Sequence, residues 1–113
     1  MARASASSES IPGAVQDLLR VVGGNIRTAR LRRRMPLREL AERTGLTAPT
    51  LIRVEKGNPG TAFAAYATVL WVLGLAEGLQ ELARPDLDEV GLALDAARSP
   101  ERARVSTRLD DDF

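Results

Sequence analysis

At 113 residues, 44% of them hydrophobic, the chain is long enough for one domain with its own core plus short tails. It has no cysteine and no histidine, which excludes a disulfide framework, a thiolate metal site, the usual general base and the commonest zinc ligand. The net charge of +1 hides an asymmetry, because residues 1–56 carry eleven basic against five acidic residues while residues 57–113 carry five arginines against ten acids, so a polyanion-binding front and an acidic rear are expected.

Residues 1–10, MARASASSES, are rich in Ser and Ala and read as a disordered N-terminal arm without the apolar core of a signal peptide. Ser10 is placed to cap a helix with Pro12 in its first turn. Val15, Leu18, Leu19, Val22, Ile26 and Ala29 follow at helical spacing, and Gly23-Gly24 predict a bend or a fresh start within that helix. It should end near Arg34, because Pro36 disfavours helical geometry at Met35. A second helix is predicted over 37–44, with Leu37, Leu40 and Ala41 inward and Gly45 left-handed beyond its end.

Thr47 is expected to cap a third helix that tolerates Pro49 in its first turn, turns Leu51 and Val54 to the core and stops at Lys56-Gly57. Asn58-Pro59-Gly60 is a turn. Thr61 should cap a helix over 62–73 with a stripe of Phe63, Tyr66, Val69, Leu70 and Leu73, ended by Gly74. A short fifth helix is predicted over 77–83 and a sixth over 86–98, where Leu87, Val90 and Leu94 align. The longest uncharged run, 57–76, is interrupted by Gly and Pro and is too short in its helical part to span a membrane.

Two helices of about eight residues, joined by three with Gly at the bend, form a helix-turn-helix. In that geometry the first helix braces against the DNA backbone and the second sends its N-terminal side chains into the major groove. Arg32, Arg33, Arg38 and Arg43, with Arg34, are then candidate phosphate ligands, the alternative being a solvated basic face. Thr47, Ala48, Pro49 and Thr50 open the second helix of the pair, and Lys56 closes it. Arg53 is the best donor for guanine, with a phosphate as its other target; Ala48 and Pro49 suit thymine methyls, and DNA shape carries the remaining specificity.

The stretch from about residue 22 to 75, with VGGNIRTAR, LRELAERTGLTAPTLIRVEKG and a helix ending in VLWVLGL, resembles the Xre/Cro family of repressor-type DNA-binding domains. The resemblance implies an all-α, lambda-repressor-like domain of about five helices plus a C-terminal helix and a flexible tail. It also implies that Arg30 and Glu55 form a structural ion pair. Leu37 departs from the glutamine with which many phage members touch DNA at that position. The rear half, NPGTAFAAYATVLWVLGL, then ARSPERARV and DDDF, is similar to antitoxins of the HipB type. That similarity implies a cytoplasmic, nucleoid-associated homodimer that binds a short inverted repeat in double-stranded DNA, represses its own operon and holds a HipA-like Ser/Thr kinase toxin. The alternative is a stand-alone Xre regulator without a toxin partner.

Trp71 lies off the stripe of its helix, and is either covered by a later helix or exposed at an interface. A dimer or partner seam is expected from Trp71, Leu87, Val90 and Leu94. The tail over 101–113 is either a solubilising end or a partner-binding segment anchored by Phe113. The organisation expected is an arm over 1–10, a DNA-binding domain over 11–84, and a C-terminal helix and tail over 85–113. No cofactor, metal or catalytic residue is expected, since Ser and acids occur without a nucleophile–base arrangement or a phosphate loop.

Overall fold

The computed structural model describes residues 10–98, so the expected arm over 1–10, apart from Ser10, and the tail over 101–113, with Phe113, lie outside the described residues. Among the described residues the chain is all-α, with no strand. It divides between Leu79 and Gln80 into two compact units. No helix among the described residues is long and apolar enough to cross a membrane.

The first unit is built from α1 (Gly13–Arg32), α2 (Leu37–Thr44), α3 (Ala48–Glu55) and α4 (Phe63–Val72). Here α1 packs on α3, α2 packs on α3 and α4, and α3 also meets α4. The core is one cluster: Ile26 and Ala29 from α1, Met35 from the following turn, Leu40 from α2, Leu51 and Val54 from α3, and Ala65, Tyr66, Val69 and Leu73 from α4 and its end. Ile26, Leu40, Leu51, Val54 and Val69 are fully buried, each contributing about 1.5–3 kcal/mol by leaving water. The Tyr66 hydroxyl donates to the Asn58 carbonyl at 2.8 Å and so ties the turn before α4 to the core. Burial raises the Tyr66 pKa above its ordinary value.

Several expectations are corrected. Pro12, rather than Ser10, occupies the cap position of α1, and its side chain makes no capping bond. The helix does not break at Gly23-Gly24 but runs through them to Arg32. Its first half is not core: Val15, Leu18 and Val22 are exposed, and burial begins at Gly23. Thr61 does not cap α4, because Ala62 holds the cap position, and the Thr61 hydroxyl is buried without a hydrogen-bond partner among the described residues. Phe63 is exposed, and Ala65 takes its place in the buried set. A helical side chain covers the turn on the N-terminal side of its own Cα, and Phe63, the first residue of α4, has only loop there.

The fifth helix is a 3-10 segment, Ala76–Glu81, rather than an α-helix over 77–83; it contains Gly78 and buries no residue that would hold a full α-turn. In the second unit, Pro85–Leu87 is a separate 3-10 turn and α5 begins later than expected, spanning Glu89–Arg98. The Asp88 carboxylate accepts the Gly91 N–H at 2.9 Å, which satisfies one free donor at the start of α5. Arg84 bonds Asp86 at 2.7 and 2.8 Å and also pairs with Glu81, and these two carboxylates raise its pKa. Leu87 therefore lies outside the helix that carries Val90 and Leu94, and all three are exposed.

The continuity of α1 at its two glycines has a steric cause. A Cβ on Gly23 would sit 2.5 Å from the Val54 carbonyl oxygen, 2.6 Å from the Gly57 nitrogen and 2.7 Å from the Glu55 carbonyl oxygen. A Cβ on Gly57 would meet the backbone of Leu19 and Arg20. The backbones of α1 and the end of α3 touch at these two residues. Gly24 has open space around its Cα. Adjacent glycines should thus respond with opposite sign. Gly23→Ala should destabilise by about 1–3 kcal/mol or more, because backbone must move. Gly24→Ala should stabilise by up to about 1 kcal/mol, as at an ordinary helix interior position. Urea unfolding of the two variants checks this, and equal effects would refute the crossing.

Candidate nucleic-acid interface

The turn between α2 and α3 is fixed by local bonds. Gly45, at φ 75, is left-handed, and its N–H reaches the Ala41 carbonyl at 2.9 Å. The Thr44 hydroxyl donates to the Leu40 carbonyl at 2.7 Å and accepts the Leu46 N–H at 3.2 Å. Thr47 caps α3, its hydroxyl accepting the Thr50 N–H at 3.3 Å and lying 3.0 Å from the Thr50 hydroxyl. Pro49 sits in the first turn, where no N–H is needed.

The far end of α3 is held by charge. The Arg30 Nε and Nη2 donate to the two carboxylate oxygens of Glu55 at 2.6 and 3.0 Å, and its Nη1 donates to the Met35 carbonyl at 2.9 Å. Both side chains are more than nine-tenths buried. The hydrogen bond to Glu55 raises the Arg30 pKa, burial pulls it down, and attraction to Glu55 adds to the rise. One guanidinium thereby joins α1, the turn after it and the last residue of α3.

With Leu51 and Val54 turned inward, the outer face of α3 presents Ala48, Pro49, Ile52, Arg53 and Lys56, with Thr47 exposed before it and Thr50 half-buried. Ile52 was not among the expected contact residues. Its position four residues after Ala48, on the same outward face of the helix, was the signal for it. Thr50 and Arg53 also line an open groove of about 790 Å³, closed by the Asn58–Pro59–Gly60 turn and by Ala62, Ala64 and Thr68 near the start of α4. The Asn58 side chain accepts the Gly60 N–H at 2.7 Å and shapes that turn. No carboxylate lines the groove among the described residues.

The structure sorts the expected cations. The side chains of Arg32, Arg38, Arg53 and Lys56 are exposed and make no hydrogen bond or ion pair among the described residues, and neither does that of Arg34. Arg33 instead donates to the Ala29 carbonyl at 2.8 Å, at the C-terminal end of α1. Arg43 pairs with Glu39 at 2.9 Å on the surface of α2, a contact worth about 0–1 kcal/mol and readily exchanged. Trp71 is 71% exposed: the inward face of α4 is set by Tyr66, Val69 and Leu73, and Trp71 lies off it. Trp71 belongs to the first unit, and Leu87, Val90 and Leu94 belong to the second.

Comparison of the chain with protein-family models, with curated proteins and with solved structures finds no match.

Removing one partner of the Arg30–Glu55 pair strands a buried charge. Arg30→Ala should cost about 3–5 kcal/mol, and joint replacement of both residues by apolar ones of similar volume should recover most of that loss. Chemical denaturation of the single and double variants measures it. A double variant no more stable than the single one would show that the stranded carboxylate is not what costs.

Proposed function

We propose that the chain is a sequence-specific DNA-binding repressor of the Xre/Cro helix-turn-helix type, with a lambda-repressor-like fold, and that it acts as a HipB-type antitoxin. One observation carries the reading. The eight-residue α3 is fixed at its start by the Thr47 cap and at its end by the buried Arg30–Glu55 pair, while its outer face offers small apolar groups and the unpaired Arg53. A rigid, protruding helix with a free guanidinium suits the major groove, where Arg53 reads guanine and Ala48 and Pro49 meet thymine methyls. Arg32, Arg38 and Lys56 supply phosphate contacts, and Arg33 and Arg43 join them by exchanging weak surface bonds. The role is binding rather than catalysis.

One such helix reads few base pairs, so the active form is a homodimer on a short inverted repeat, its recognition helices about 34 Å apart. Exposed Trp71, Leu87, Val90 and Leu94 are the groups assigned to the dimer or partner seam. The likeness of the rear half to HipB-type antitoxins supports a kinase toxin as partner, with Phe113 of the tail as an anchor.

Binding to duplex DNA should fall steeply with salt. Joint replacement of Arg32 and Arg38 by glutamine should weaken binding to all sequences and flatten the slope of log affinity against log salt by about 2. Arg53→Ala should instead cost about 1–3 kcal/mol at one operator position and spare nonspecific binding. Fluorescence anisotropy on the DNA upstream of the gene reads both, and an unchanged slope would remove the basic face from the interface. The dimer is tested through the sole tryptophan. Trp71 emission should shift to the blue as concentration rises through the association range measured by sedimentation. Association with no change in Trp71 emission would place the seam elsewhere.

A further inference from the structure

The same two backbone bonds end α1, α3 and α4. Gly57 and Asn58 donate back to Val54 and Arg53 at 3.0 and 2.9 Å, and Gly74 and Leu75 donate back to Trp71 and Leu70 at 3.1 and 2.8 Å. After α1, Arg34 and Met35 donate back to Leu31 and Arg30 at 3.0 and 3.3 Å. This closure requires a left-handed residue at the first donor, a position that favours glycine. Gly57 and Gly74 have φ of 71 and 79, and Arg34 has φ 51. A Cβ at Gly74 would meet nothing within 4 Å, so glycine stands there for its backbone alone. The chain thus uses glycine twice for this motif and arginine once.

The left-handed turn at Arg34 is imposed from both sides. Met35 is buried, and its carbonyl accepts from the Arg30 guanidinium at 2.9 Å. The Arg34 side chain contributes nothing to that: it is exposed and makes no hydrogen bond or ion pair among the described residues. A β-carbon here costs stability that glycine would spare. In the chain, unpaired Arg32 lies two residues before Arg34 and Arg38 four residues after it, at the start of α2, where the positive end of the helix also favours an anion.

We infer that Arg34 is a phosphate-binding residue kept at the expense of fold stability, and that the turn between α1 and α2 clamps one DNA phosphate. This rests on the DNA-binding reading above. The full chain and its Arg34→Ala, Arg34→Gly and Arg34→Lys variants are compared by thermal melting and by anisotropy titration of a labelled mixed-sequence DNA duplex across a salt series. Arg34→Gly should melt about 4–8 °C higher and lose about 1 from the slope of log affinity against log salt. Arg34→Ala should lose the same slope without the gain in melting temperature. Arg34→Lys should keep the wild-type slope and melting temperature. Alanine and glycine variants with the wild-type slope would overturn the phosphate role. A glycine variant that melts no higher would overturn the stability cost. If the unmodified chain shows no salt-dependent duplex binding, the DNA-binding reading itself fails, and the wild-type titration alone reveals it.

Discussion

A single buried guanidinium organises the first unit. Arg30 could reach water only by leaving its place between α1 and α3, so its charge must be met inside, and three bonds to Glu55 and the Met35 carbonyl meet it. Together the bonds fix two parts of the chain. The two to Glu55 set the rotation of α3 about its axis, because that residue closes the helix. The bond to Met35 sets the turn that leads into α2. The pair is no large source of stability compared with an apolar core of the same volume. Its role is in specifying one arrangement: a helix rotated by a few tens of degrees would leave two charges unmet.

That arrangement separates two populations of arginine. Arg30 is consumed by the fold and Arg84 by two neighbouring carboxylates, while Arg33 is held only by one bond to a carbonyl at its helix end. Arg32, Arg34, Arg38 and Arg53 are left to solvent. Composition treats all of them alike. A front half with an excess of positive charge says little about binding until the cations already spent on structure are set aside. The remainder, Arg27 included, lies on α1 and the turn after it, at the start of α2 and on the outer face of α3.

Most of the helical frame was legible in the sequence because local chemistry dictates it. Gly45 and Thr47 announce the end of α2 and the start of α3, and both do what their residue types suggest. Leu40, Leu51, Val54, Tyr66, Val69 and Leu73 follow helical periodicity into the core. The misreadings arose where a distant segment decides. Gly23 looks like a helix breaker until the end of α3 is seen pressed against it. Val15, Leu18 and Val22 have the spacing of a buried face, but burial on α1 starts only at Gly23. Phe63 has the right period but stands at the first position of its helix. In the candidate interface, the exposed residues of α3 could be named from its period. Which arginines are free could not, since a partner such as Glu55, 25 residues from Arg30, is set by tertiary structure.

The Arg30–Glu55 clasp also governs how the unit comes apart. Its partners are 25 residues apart in sequence, whereas the bonds of the α2–α3 turn span four residues or fewer. Closing such a loop costs on the order of 3 kcal/mol in chain entropy. Undocking α1 frees both charges to water together, while a partial opening exposes neither fully and breaks their bonds. Intermediate positions are therefore the least favourable, and α1 leaves or stays as a whole. Amide hydrogens of α1 around Ile26 and of α3 around Val54 should consequently belong to one cooperative exchange unit, although they sit in separate helices.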